Sequence, residues 1–293
     1  MFDRIATSFT LARSSWDVLR RDKQLLLFPI VSGIGCTLVL ASFLIPVGVI
    51  ASRGGFDGLK NANGNVQLPW WFYVGLFAFY FCNYFVIVFC NAGLISCAIM
   101  RFNGETPTLG DGFRAAASRL PQILAWALVS ATVGVLLKAV ESGHKRVGEI
   151  ISAVLGTAWT IMTYFVVPVL VVEKVGPFQA VARSLTLLKA TWGEALIGNL
   201  GLGFFKFLLA LPLILLIGLG VALVATSNAA GPLLVVAVAV FAVAALYFLV
   251  YLAVASALET IFLSALYQYA AFNTVPSGFE TDSMARAFRS SKR

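Results

Sequence analysis

The chain has 293 residues, 60% of them hydrophobic and only 12% charged, with a mean hydropathy of +0.91 and a formal net charge of +8. That composition excludes an ordinary water-soluble domain, whose surface would need many more polar side chains. The positive charge is dispersed among loops rather than gathered on one face, which points to membrane topology and anionic lipid and away from nucleic acid.

A spanning helix needs roughly 20 apolar residues, because the hydrocarbon core is about 30 Å thick and each residue rises about 1.5 Å. Residues 1–23 form an amphipathic helix ahead of any apolar run. Residues 24–52, without a charge, are the first predicted span. The run is too long for the roughly 7–15 apolar residues of a cleaved export signal, so it is expected to be retained. The second span, 70–100, opens on the aromatic cluster "PWWFY" (69–73), which suits an interface belt. Residues 120–141 and 148–172 follow, then 195–226, which is broken only by Lys206. After the turn signal "SNAAGP" (227–232), 233–262 is the last span, and 272–293 form a tail. The predicted fold is an all-α polytopic transmembrane bundle of about six spans in a single membrane domain.

One motif is written twice. "SFTLARSSW" (8–16) and "SLTLLKATW" (184–192) align at an offset of 176, pairing Phe2 with Phe178, Arg13 with Lys189 and Trp16 with Trp192. Their apolar positions, Phe2, Ile5, Phe9, Ala12 and Trp16 in one copy and Phe178, Val181, Leu185, Leu188 and Trp192 in the other, form one helical stripe. A weaker third copy runs through Phe113, Ala116, Leu120 and Ile123. The chain therefore parses into three units, each an interfacial amphipathic helix plus a transmembrane hairpin. Phe2, Arg13, Trp16, Phe178, Lys189 and Trp192 are the expected lipid contacts, with Trp at headgroup level and the cations snorkelling to phosphate. Such helices either orient the spans or sense the leaflet; the pattern leaves both open.

Fifteen Lys and Arg residues fall on the side shared by the termini and the even-numbered loops, against five on the other. Both termini are accordingly expected in the cytoplasm of a bacterium, with the chain in its inner membrane and anionic inner-leaflet lipid as the partner. A second copy or another membrane protein is the alternative partner.

Ionisable groups inside spans are functional candidates, because burying one uncompensated costs several kcal/mol. Lys206 is expected near mid-bilayer, with Glu259 as its partner across the last hairpin, as a structural ion pair or as a substrate or proton site. Asn199, Asn83 and Asn91 complete the intramembrane polar set, by hydrogen bonding between helices or by lining a pore. Prolines at 29, 46, 168 and 212 and the glycine-rich "GNLGLG" (198–203) either permit close packing or open a solute path. Three cysteines on the second span do not read as a metal site, since the chain has one histidine, His144, and no CxxC pair. No catalytic motif such as GxSxG, HExxH or GxxxxGK[ST] occurs, so neither an enzyme nor a cofactor is expected.

With "WDVLRRDKQLLLFPIVSGI" (16–34), "GPFQAVARSLTLLKATWG" (176–193) and "ALYQYAAFNTVPSGF" (265–279), the chain resembles a family of uncharacterised bacterial polytopic membrane proteins, a domain-of-unknown-function group. The middle segment is more loosely similar to membrane domains beside glycerophosphodiester phosphodiesterases, whose chemistry does not carry over because no catalytic domain is present. The resemblance implies architecture and supplies no substrate. Two functions remain: a non-catalytic protein that organises lipid or partner proteins, and a channel or transporter with a path near Lys206.

Overall fold

A computed structural model describes residues 2–54, 70–143, 147–226, 231–277 and 279, apart from the side chains of 2–9, 11, 142, 143, 147 and 192–200. Among the described residues all regular structure is helical: α1 (Phe2–Arg21), a 3-10 turn (Lys23–Leu26), α2 (Leu27–Ser52), α3 (Trp70–Phe102), α4 (Leu109–Ala117), α5 (Leu120–Gly143), α6 (Val147–Met162), α7 (Val166–Glu173), α8 (Pro177–Thr226) and α9 (Pro232–Phe272). Six stretches of these residues are long and apolar enough to cross a membrane: Lys23–Ser52, Trp70–Phe102, Leu120–Glu141, Gly148–Glu173, Gly201–Thr226 and Pro232–Phe272. The protein is an all-α, multi-pass membrane protein.

The chain divides into two compact units. The first comprises Met1–Pro29, Ala98–Thr106 and Thr191–Arg293, the second Ile30–Cys97 and Pro107–Ala190. No linker composition marks the divisions, three of which fall inside helices.

In the first unit α1 packs on α9. The end of α9 is buried on nearly every face, through Ala257, Leu258, Thr260, Ile261, Phe262, Ser264, Ala265, Leu266 and Tyr267, as expected of a helix apolar all round. α9 starts with Pro232 at its first turn, where a missing N–H costs nothing, after Gly231 at φ 88°, a value glycine adopts freely. It ends at Asn273, in the left-handed conformation, whose N–H donates to the Tyr269 carbonyl. The helix thus runs ten residues beyond the expected span end at 262, because only there does a capping signal occur. Ser277 donates its hydroxyl to the Phe102 carbonyl, and the Phe102 and Phe279 rings meet edge-on at 5.8 Å.

The second unit holds the α5–α6 hairpin, in which Trp126 stacks on Trp159 at 5.6 Å and Ser152 donates to the Leu137 carbonyl. α4 opens with a reciprocal cap. Asp111 N–H donates to Thr108 Oγ1 at 3.3 Å, while the Asp111 carboxylate accepts from the Thr108 hydroxyl at 2.7 Å and the Thr108 N–H at 3.0 Å.

The expected span 148–172 is two helices. Pro168 has no N–H to give the Tyr164 carbonyl, and its ring crowds that group, so helical structure lapses over Thr163–Phe165. The ends of α7 are then satisfied from outside: Phe165 N–H donates to Ser184 Oγ at 3.0 Å, and Arg119 Nε donates to the Val171 carbonyl at 3.0 Å. Within α8, Thr191 is non-helical (φ −124°, ψ 19°), so α8 is two helices joined at a kink, the second beginning a few residues before the expected span start at 195.

Candidate functional site

The α8–α9 hairpin of the first unit is joined at three levels. Nearest its connection, Gly220 lies against the Phe241 ring so closely that a Cβ would stand 2.8 Å from Cζ. Further along, Tyr247 donates its hydroxyl to the Leu209 carbonyl at 2.7 Å. Pro212 lies in the same turn and has no N–H for the Leu208 carbonyl, the one beside the carbonyl that Tyr247 reaches. At the far level Lys206 Nζ donates to Glu259 Oε2 at 2.9 Å.

The structure thus brings Lys206 and Glu259 together. Counting about 1.5 Å per residue, Lys206 lies about 30 Å along α8 from Thr226, and Glu259 about 40 Å along α9 from Pro232. The Lys206 side chain is 26% exposed and that of Glu259 61%.

Beside the pair, Trp16 of α1 packs on Phe205 with centroids 5.9 Å apart, tilted by 57°. Trp16 is therefore half-buried against protein and not wholly free for lipid. Arg13 and Arg20, one helical turn to either side of it, are exposed.

Of the remaining polar candidates, Asn83 and Asn91 belong to the second unit. Asn83, in the second unit, donates its amide to the Phe79 carbonyl of its own helix at 3.0 Å. Asn91 is half-buried on α3. The side chains of Phe2, Trp192 and Asn199 lie outside the described residues, as do His144 and the tail beyond 279. Among the described residues no three or more His, Cys, Asp or Glu side chains gather to hold a metal ion.

The repeat turns a different face inward from the one its apolar stripe suggests. In the 177–191 arm Ala180, Ser184, Leu187, Leu188 and Thr191 are buried, while Phe178 is 79% exposed and Lys189 is exposed. In α1 the buried set is Ala12, Ser14, Ser15, Val18 and Leu19. At about 100° per residue the buried face is rotated by roughly a quarter turn from the stripe in both copies. Leu188 and Thr191 correspond to Ala12 and Ser15 at the offset of 176, so the two copies bury equivalent positions.

A family model described as a family of unknown function, DUF6159, matches residues 71–279. The chain belongs to the DUF6159 family. Neither a curated protein nor a solved structure matches it.

Several groups that hold this DUF6159 protein together were not singled out from sequence. Tyr247 looks like one more aromatic in an apolar run. Ser184 and Arg119 likewise serve backbone groups 19 and 52 residues away. The Arg183–Glu173 ion pair, at 2.9 Å, closes the α7–α8 turn, whose Lys174 is left-handed at φ 58°. Opposite charges at either end of "EKVGPFQAVAR" (173–183) were its only signal.

Proposed function

We propose that the protein is a non-catalytic component of the bacterial cytoplasmic membrane, with both termini cytoplasmic, that engages anionic lipid of the inner leaflet through the amphipathic segments preceding its odd-numbered spans. One observation carries this reading. In the 177–191 arm the buried face is Ala180, Ser184, Leu187, Leu188 and Thr191, which leaves Phe178 outside with the exposed Lys189. An apolar ring and a cation free on one arm suit a headgroup interface, where each well-placed basic residue contributes about 1 kcal/mol. The excess of Lys and Arg on the terminal side supports the orientation. Hydrogen exchange of segment 177–190, with the full chain in nanodiscs, tests the reading. Exchange is expected to slow when anionic lipid replaces zwitterionic lipid, and the combined Phe178→Asp and Lys189→Glu variant is expected to lose the difference. Equal exchange in both lipids overturns it.

A channel or transporter near Lys206 is the second reading, favoured by a charge pair within an otherwise apolar hairpin. It ranks second because the ionisable residues within the spans are few. Solute flux into liposomes that disappears in folded Lys206→Met would reverse the order.

A further inference from the structure

α2 and α3 run antiparallel in the second unit, and their close contact stops short of the end where they connect. A Cβ on Gly35 would stand 2.8 Å from Val86 Cγ1, and further along Phe43 meets Phe79 edge to face at 5.6 Å. Toward the connection the helices leave a cavity between them, lined by Leu40, Leu44 and Val47 of α2 and by Trp71, Phe72 and Leu76 of α3. Its volume is about 350 Å³. That is within the range of about 300–1,000 Å³ typical of small-molecule sites. Gly75 also lines it, and a Cβ there would meet nothing within 4 Å.

The lining selects the occupant. Its side chains are hydrocarbon throughout except for the Trp71 indole N–H, so water, which needs two to four polar partners, has no place in it. Protein interiors pack like organic crystals, and a space of this size open to a bilayer takes up hydrocarbon. From Trp71 to Phe79 the helix advances about 12 Å, so the slot lies along the spans, with exposed Trp70, Trp71 and Tyr73 at one end. Tryptophan and tyrosine place that end at headgroup level, where an indole N–H meets an ester carbonyl.

We infer that this slot is a binding site for one acyl chain of a glycerophospholipid, its ester end at Trp71 and its methyl end toward Phe43 and Phe79. The inference does not depend on the anionic-lipid reading. The lining of the slot bears no charge.

The test uses the full chain in phosphatidylethanolamine nanodiscs that carry a phosphatidylethanolamine with a diazirine in one acyl chain. After photolysis, adducts mapped by mass spectrometry are expected to concentrate on 40–47 and 71–79, several-fold above the lipid-facing stretch 235–249 of α9. Gly75→Phe, which sends a ring into the open space, should reduce slot adducts at least fivefold and leave those on 235–249 unchanged. Gly75→Leu gives the same readout if the larger side chain impairs folding. Adducts no denser at the slot than on α9, or unchanged in a folded Gly75 variant, overturn the inference. So does a cross-link from a photoreactive residue at position 76 to a second copy.

Discussion

Ser184 offers its hydroxyl to a backbone N–H in the break between two helices, a role invisible in sequence because serine in a helix commonly bonds to its own turn. Ser184→Ala removes that acceptor from a buried donor, and a loss of about 1–3 kcal/mol is expected in equilibrium unfolding from detergent. Lys206 and Glu259 were legible for the opposite reason, as isolated charges in apolar runs. Since both are partly exposed, a double-mutant cycle of Lys206→Met and Glu259→Gln should give a coupling of about 0–1 kcal/mol. Asp111 offers a pH-dependent case outside the spans. The Thr108 hydroxyl, then the Thr108 N–H, hold its carboxyl below the usual aspartate range. A depressed folded pKa means that the cap stabilises α4 fully above that range and loses its contribution as pH falls through the lowered value. Protection factors over 109–112, corrected for the intrinsic exchange rate, should therefore fall on acidification below about pH 4, and Asp111→Asn should flatten the dependence.

Helices follow from their amino-acid patterns more readily than the faces they bury. The stripe through Phe178, Val181 and Leu185 was correctly periodic, but periodicity does not say whether bulky residues turn inward. In water they would. In lipid, apolar side chains gain little by leaving the solvent, and small residues such as Ala180, Ser184 and Thr191 take the seam because they let backbones approach. The break before α7 was foreshadowed by Pro168, although a proline acts on the turn that precedes it. In the α8–α9 hairpin, Tyr247→Phe should weaken the helix pair by about 0.6 kcal/mol and at most about 2, as read from unfolding in bicelles.

At the scale of the molecule, six apolar stretches were legible because hydrocarbon permits few backbone solutions other than uninterrupted helices. The division into two units was not, because its boundaries fall at Pro29, Cys97, Thr106 and Ala190 without any change in composition. Limited contact between sequence neighbours is a property of the folded chain, and no flexible linker announces it. The proposed orientation makes one clear demand: a reporter fused after Arg53 should be active only outside the cytoplasm, and one fused after Ser118 only inside.

A charge pair about 30 Å along α8 from Thr226 would also make the protein sensitive to the thickness of its host membrane. α9 is about 60 Å long, twice the hydrocarbon core, so its length alone sets no depth. Lys206 and Glu259 do, because a thicker bilayer would draw both into hydrocarbon or force the helices to tilt. Hydrophobic mismatch costs fractions of a kcal/mol per Å, enough to sort proteins between membranes that differ by a few Å. In vesicles of graded acyl length the native protein should be most stable near a 30 Å core, whereas the Lys206→Met, Glu259→Gln double variant should tolerate longer chains with little loss.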